Sequence, residues 1–356
     1  MVRPMQKRKK QIFLDRFRFF SYEVALGFIL IFILLLLPAF VVPLFVEPGS
    51  VLYGILFYSL RAIMSFIGVP LILYLSNLLF LDKKSNVIIE EDVSPAIGHL
   101  RLYKITKNNY QYQILYGFLI FFLVFLPIDF LGYFLIPEFL EYQSFALAFK
   151  STDSYLLADY SIFLISVIII QVSVAISEET IARGLLTKRG SEHFSRMSAV
   201  MISSLYFGLG HFAYFLDPIS RSYSLWFPFI MFLQTFIVGI ILSLLIIRRK
   251  WLIPVIIAHA LNNIVSAHAV WSFLKGVDFI EVVLQLYLPL TIIGLLMLFW
   301  QFSRIKDGLL IGLNIFKEYF EIDDTIEETN ADKVFRVFID IVLAFLIFLM
   351  GIMIVI

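Results

Sequence analysis

The sequence predicts an all-α, polytopic helical membrane protein with about nine transmembrane helices (eight is the alternative count) and a polar site within the bundle. Three observations predict it. The chain is 61% hydrophobic and 15% charged, with a mean hydropathy of +0.93, whereas soluble domains sit at roughly half apolar and roughly a quarter charged. Its apolar residues gather into repeated runs of about twenty, the length that a helix needs to cross a bilayer. Lys and Arg fall in alternate loops, which is how charge sets the orientation of spans.

The expected spans are 23–46, 53–80, 111–136, 160–184, 198–216, 225–247, 251–272, 278–300 and 336–356. The tail before the first span is basic, with Arg3, Lys7, Arg8, Lys9, Lys10, Arg16 and Arg18. It has no small-residue cleavage site, so the first run reads as an uncleaved span. Residues 81–110, 185–197, 248–250 and 301–335 are also basic loops, while 47–52, 137–159, 217–224 and 273–277 hold at most one Lys or Arg each. All basic loops then share one face. The expectation is a cell-membrane protein with a cytoplasmic N-terminus and an external C-terminus. In 301–335, Leu309, Leu310, Leu313, Phe316 and Phe320 recur at helical spacing and predict a helix along the membrane surface. The acidic stretch after it reads as a solvated linker. The organisation is 1–154 with a basic tail and three spans, 155–275 with four spans and the polar motifs, and 276–356 with two further spans. The near-neutral charge of +1 gives no reason to expect nucleic acid, and the lipid bilayer is the expected surrounding. With no cysteine, disulfides, thiol nucleophiles and cysteine metal sites are excluded.

Ionisable residues inside spans are costly and point to function. Arg61 can sit at the outer boundary of the second span, and Asp340 within reach of the interface. Gln171, Gln234 and Gln285 suit bonds between helices. Asp129, after Pro127, is harder to place at a boundary. His99 and His193 fall in loops. His268 is nine positions past His259 and so faces roughly the opposite side of the helix.

Three polar clusters remain: Glu178, Glu179 and Arg183; Phe207 and His211; and His259, Asn262 and Asn263. Singly, each has a plain structural reading as a helix salt bridge or a hydrogen-bonded core residue. Together they set acid, base and amide groups on three helices. Glu179 and Arg183 are four apart, about 40° around the helix, and can pair. Glu178 is about 100° from Glu179 and about 140° from Arg183, so it faces elsewhere without a close cation, which suits a general base. His259 and Asn263 share one face and suit holding an oxyanion. His211 can orient or help deprotonate a water held by Glu178. Such a constellation describes a water-activating hydrolase with no Ser or Cys nucleophile. Counted from the basic face, Glu178 and His259 lie about 13 Å deep and His211 about 20 Å. Convergence therefore requires a later start of the fifth span, or tilt. The expected cavity opens towards the basic-loop face.

The motifs EETIAR (178–183), FGLGH (207–211) and HALNN (259–263), in that order on separate spans, resemble those of the CAAX protease and bacteriocin-processing (Abi) family. The resemblance covers roughly 155–275. It implies an intramembrane endopeptidase acting on a membrane-associated peptide or protein. Carried over, Glu178 and His211 activate water, His259 and Asn263 stabilise the oxyanion, and Glu179 and Arg183 support, with Phe207 and Asn262 beside them. Eukaryotic members trim prenylated CAAX tails; bacterial members are tied to bacteriocin processing and immunity, peptide maturation and signalling. The cysteine-free, Phe- and Ile-rich chain reads as bacterial, which argues against prenylated substrates. No cofactor is favoured. Zinc is the alternative, held by Glu178, His211 and His259, although no H-E-x-x-H pair is present. Two other functions stay open: a non-catalytic scaffold that regulates a sensor kinase or gives bacteriocin immunity, and a proton-coupled transporter, for which inverted repeats are lacking.

Overall fold

The structure is a computed structural model that describes residues 4–80, 93–148, 150–212, 226–321 and 328–355; of these, the side chains of 4–8, 28–35 and 352–355 are not described. Arg3, Lys83, Lys84, Glu90, Glu91, Asp92, Arg221 and the end of the expected span 198–216 lie outside the described residues, as does half of the acidic stretch 321–332; its described end is not the expected solvated linker, since Glu328 and Asp332 are buried, Glu328 against Arg336.

The described chain is helical and contains no strand. We number its helices α1 (Pro4–Phe19), α2 (Ala25–Val41), α3 (Val51–Phe80), α4 (Pro95–Leu100), α5 (Tyr110–Leu135), α6 (Pro137–Ala148), α7 (Tyr160–His193), α8 (Arg196–Phe212), α9 (Trp226–Arg249), α10 (Ile253–Leu274), α11 (Phe279–Trp300), α12 (Phe302–Glu318) and α13 (Asn330–Val355). Seven of them, α3, α5, α7, α9, α10, α11 and α13, are long and apolar enough to span a bilayer. They match seven of the nine expected spans. Helix α8 covers most of the expected fifth span in 17 residues before the described chain stops, and α2 occupies the expected first span. The protein is a multi-pass membrane protein.

Apolar faces sort by environment. Ile165, Ile168, Ile169 and Val172 form an exposed stripe on α7; in water it would be an interaction patch, and in a bilayer it meets acyl chains. The opposite face of α7 buries Phe163, Val167 and Ile170 against α10 and α3. Close approach is visible at Gly54 of α3, where an added Cβ would stand 2.2 Å from the Thr152 carbonyl oxygen. Helix α12 has no buried residue, and Leu309, Leu310 and Leu313 are all exposed, as a helix lying on a membrane surface requires.

Buried charges stitch one end of the bundle. Arg16 Nε contacts Asp340 Oδ1 at 2.8 Å, Arg189 Nη2 contacts Glu23 Oε1 at 2.7 Å, and Arg336 Nε contacts Glu328 Oε1 at 2.8 Å. Asp340 is fully buried and does not reach an interface as expected: Arg16, far away in sequence, supplies the charge that makes burial tolerable. His193 is likewise enclosed, with Nε2 3.1 Å from Glu23 Oε1, although it was expected in an open loop. His99 is the third such correction. Its ring is 2% exposed and lies against the backbone of Gly184, and burial pushes the imidazole down to about 4. Gln171 bonds across elements to Tyr155 Oη (2.8 Å), but Gln285 bonds within its own helix to Glu281. Asp129 accepts a hydrogen bond from Tyr287 Oη (2.6 Å), joining α5 to α11.

Candidate active site

Helix α7 runs unbroken past the expected end of its span. From Thr180 to Arg189 its backbone is π-wound, a geometry that recurs at functional sites. Glu178 and Glu179 are the last two residues before this segment, and every residue of the π segment is buried. The segment is braced by α4 and the turn after it: the His99 ring fills the space beside Gly184, where an added Cβ would stand 2.4 Å from His99 Cε1, and Tyr103 Oη bonds Thr180 Oγ1.

Glu179 is the hub. It is fully buried and accepts a hydrogen bond from His259 Nδ1 at 2.6 Å. Its other oxygen is 3.1 Å from Arg183 Nε, an ion-pair contact rather than an aligned hydrogen bond. The expected pairing of Glu179 with Arg183 is present, and a cross-helix partner is added. Arg183 is fully buried too, with its guanidinium carbon 4.2 Å from the centroid of the Phe207 ring, a favourable cation–π placement. Phe207 also stands edge-on to His211 (5.0 Å) and to His259 (6.0 Å). The aromatic residue one turn before His211 is thus the floor on which three polar groups rest.

Glu178 is placed differently. Its side chain is 34% exposed and lines a cavity of about 280 Å³, which is also lined by His211, His259 and Asn263. Four residues from three helices therefore face one space. His259 Nε2 is 3.8 Å from Glu178 Oε2. Glu179 can only accept, so Nδ1 of His259 carries a proton and Nε2 is the nitrogen presented to the cavity. His211 Nδ1 lies 2.9 Å from the Phe207 carbonyl oxygen, which again makes Nδ1 the donor and Nε2 the basic nitrogen. Asn262 does not line the cavity, and its Oδ1 is buried with no hydrogen-bond partner among the described residues.

The fifth span does not start later to bring His211 level with Glu178; α8 begins at Arg196, slightly before the expected position. His259 Nε2 stands 3.8 Å from Glu178 Oε2, and His211 faces the same cavity. The cavity also extends the other way. Its remaining lining includes Tyr58 and Arg61 near the start of α3, Lys150, Asp153 and Tyr155 before α7, and Val270 near the end of α10. That is the end of the bundle opposite the basic turn 248–250. Arg61, expected at the outer boundary, is a lining residue. Its sequence signal was the charge inside an apolar run.

As for zinc, among the described residues no group of three or more His, Cys, Asp or Glu is arranged to hold a metal ion. The set Glu178, His211 and His259 shares the cavity without forming such a group.

Residues 160–265 match the family model described as type II CAAX prenyl endopeptidase Rce1-like. No curated protein and no solved structure matches the chain. The matched segment holds all three motifs and runs from the start of α7 into α10, the helices that carry Glu178, Glu179, His211, His259 and Asn263. Over residues 160–265, this multi-pass membrane protein is similar to the type II CAAX prenyl endopeptidase Rce1-like family.

Proposed function

We propose that the chain is an intramembrane endopeptidase that hydrolyses a membrane-associated peptide or protein with water activated by Glu178. One observation carries the reading. Of the two adjacent glutamates, one is consumed by Arg183 and His259 in the dry core, and the other faces the cavity that His211, His259 and Asn263 line. Structural salt bridging needs only the first.

In this mechanism Glu178, helped by Nε2 of His211, takes a proton from water as the oxygen attacks the scissile carbonyl carbon. The carbonyl π pair moves to oxygen, and the oxyanion is held by His259 Nε2–H and the Asn263 amide. The C–N bond then breaks, and the proton on Glu178 passes to the leaving nitrogen. In this mechanism His259 carries a proton on each ring nitrogen, with Nδ1–H on Glu179 and Nε2–H on the oxyanion. The steps use the chain's own residues, and none is routed through a metal. The basic loops put the N-terminus in the cytoplasm, so the cavity reaches towards the external face.

The test compares the membrane peptidome of cells carrying wild-type protein with that of cells carrying Glu178→Gln. Products that vanish at equal protein abundance support the reading. Unchanged products with Glu178→Gln and with His211→Ala would replace it with the scaffold function.

A further inference from the structure

We propose that the start of α5, the end of α9 and the start of α12 form a binding site for the phosphate of an anionic phospholipid, with Arg248, Arg249 and Arg304 as its cations. The proposal stands apart from the peptidase reading, because none of these residues lines the cavity that holds Glu178.

The arginines at this end of the bundle fall into two groups. Arg16, Arg189 and Arg336 each stand within 2.8 Å of a carboxylate oxygen. Arg248, Arg249 and Arg304 have no carboxylate contact among the described residues, and aromatic rings hold two of them instead. The guanidinium carbon of Arg249 is 5.3 Å from the centroid of the Tyr116 ring and 5.7 Å from that of Trp251. The guanidinium carbon of Arg304 is 5.5 Å from the centroid of the Tyr112 ring. Tyr112 and Tyr116 are four apart on α5 and share a face, which puts Arg304 and Arg249 along one row. Arg248 joins them from α9: its Nη1 is 3.5 Å from where a Cβ on Gly308 would stand, one turn past Arg304.

Rings fix a guanidinium in place without neutralising its charge. Each guanidinium carries five N–H donors. Arg249 gives one to Tyr116 Oη (2.9 Å), and Arg304 gives one to Gln301 Oε1 (2.8 Å). The Nε of Arg249 is buried with no hydrogen-bond partner among the described residues. Residues 248–250 and 304–307 together hold five cations and one acid, Asp307. Three helices thus present positioned positive charge with donors to spare, and a phosphate takes paired N–H bonds from such forks.

Location selects a lipid over a dissolved anion. The site lies where α5, α9 and α11 leave their apolar runs. Tyr112, Trp300 and Phe302 are exposed there, as aromatic residues at a membrane interface are. Further along the spans, Ile114 and Phe118 of α5 and Leu296 and Phe299 of α11 are exposed as well, and α5 and α11 are neighbours. They offer acyl chains a surface beneath the headgroup, which a dissolved anion does not need. Basic pockets between helix ends at the cytoplasmic face are suited to lipid headgroups. A choline headgroup would bring its own cation to the arginines, so the site favours a lipid of net negative charge.

The experiment titrates the full chain, purified in neutral detergent, with phosphatidylglycerol and with phosphatidylcholine of the same acyl chains, and counts bound lipids by native mass spectrometry. The first phosphatidylglycerol is expected to bind at least tenfold more tightly than the first phosphatidylcholine. Arg249→Gln and Arg304→Gln should each cut that ratio at least threefold. Lys317→Gln removes an exposed cation from the far end of α12 and should leave the ratio within twofold. Equal binding of the two lipids overturns the proposal. An equal loss in all three variants also overturns it, since surface charge alone would then explain the preference. If Arg249→Gln does not fold, Arg304→Gln decides, because α12 has no buried residue. Phosphatidylglycerol should also raise the thermal midpoint by tying α12 to α5 and α9. A rise with inorganic phosphate and none with phosphatidylglycerol would assign the site to a dissolved anion and overturn the lipid assignment.

Discussion

Replacing Glu179 by Gln keeps the shape of the side chain and removes its charge, and the structure says what that costs. The carboxylate stands 2.6 Å from His259 Nδ1 and 3.1 Å from Arg183 Nε, with no exposure. The amide can accept from His259 through its oxygen, but its NH2 group then faces the guanidinium, donor against donor. An imidazolium at His259 loses its counter-charge at about 4 Å between charge centres. At an effective dielectric constant of about 20 that interaction amounts to about 4 kcal/mol, or about a thousandfold in rate at about 1.36 kcal/mol per decade. Stability should fall by about 3–5 kcal/mol, because Arg183 becomes an uncompensated buried charge. The assay has two arms: product accumulation in membranes at matched abundance, and the thermal midpoint of purified protein with Arg183→Gln as the second corner of a cycle. The double variant should recover stability without recovering turnover. Turnover of Glu179→Gln within threefold of wild type would refute the idea that Glu179 holds the charged form of His259.

Gly184→Ala should destabilise the protein by about 1–3 kcal/mol through overpacking, since the new methyl would stand 2.4 Å from His99 Cε1. Adding His99→Ala should restore part of the loss in a thermal unfolding series. Asn263→Ala should lower turnover about 10²- to 10³-fold if its amide holds the oxyanion, whereas Asn262→Ala, outside the cavity lining, should change the thermal midpoint more than the rate. His99 also predicts a pH dependence. Its folded value of about 4 lies below the unfolded value of about 6.5, so the unfolded chain binds more protons between the two. Stability is lost as pH falls from about 6.5 to about 4, by about 3 kcal/mol in total, with no contribution above that window. Asp153, pushed up to about 6 by burial, acts in the opposite sense. The measurement is therefore the difference between wild type and His99→Leu, and a pH-independent difference would contradict the assignment.

What the sequence makes legible is what depends on one helix at a time. Run length locates α3, α5, α7 and α9 to α11, because crossing a bilayer is a local requirement of about twenty apolar residues. The 100° step places Glu178 and Glu179 on different sides of α7, and the three motifs single out the residues that share the cavity. Contacts between helices are not encoded in spacing. Nothing local says that Glu179 meets His259 80 positions later, or that Asp340 is covered by Arg16 324 positions earlier. His99 looks like a loop histidine until Gly184 removes the side chain that would exclude it. Depth counted by rise alone separated His211 from Glu178, because that count assumes straight, untilted helices and α7 is π-wound past Glu179. Arg61 was placed at a boundary because a span edge is the cheapest position for a lone cation, and only the shape of the cavity shows another place for it.

The ion pairs at one end of the bundle also set a timetable. Glu23 is made early, and its partner Arg189 is 166 residues downstream. At about 5–20 residues per second of synthesis, that is about 8–33 s. Arg16 waits longer, 324 residues, for Asp340, or about 16–65 s. Through that interval each early charge must stay hydrated or borrow a companion, because burial alone is costly. Helix α1 therefore cannot settle when it emerges. It closes over the bundle only when the last helix arrives, so a chain truncated before α13 would leave its first helix unsealed and open to proteolysis.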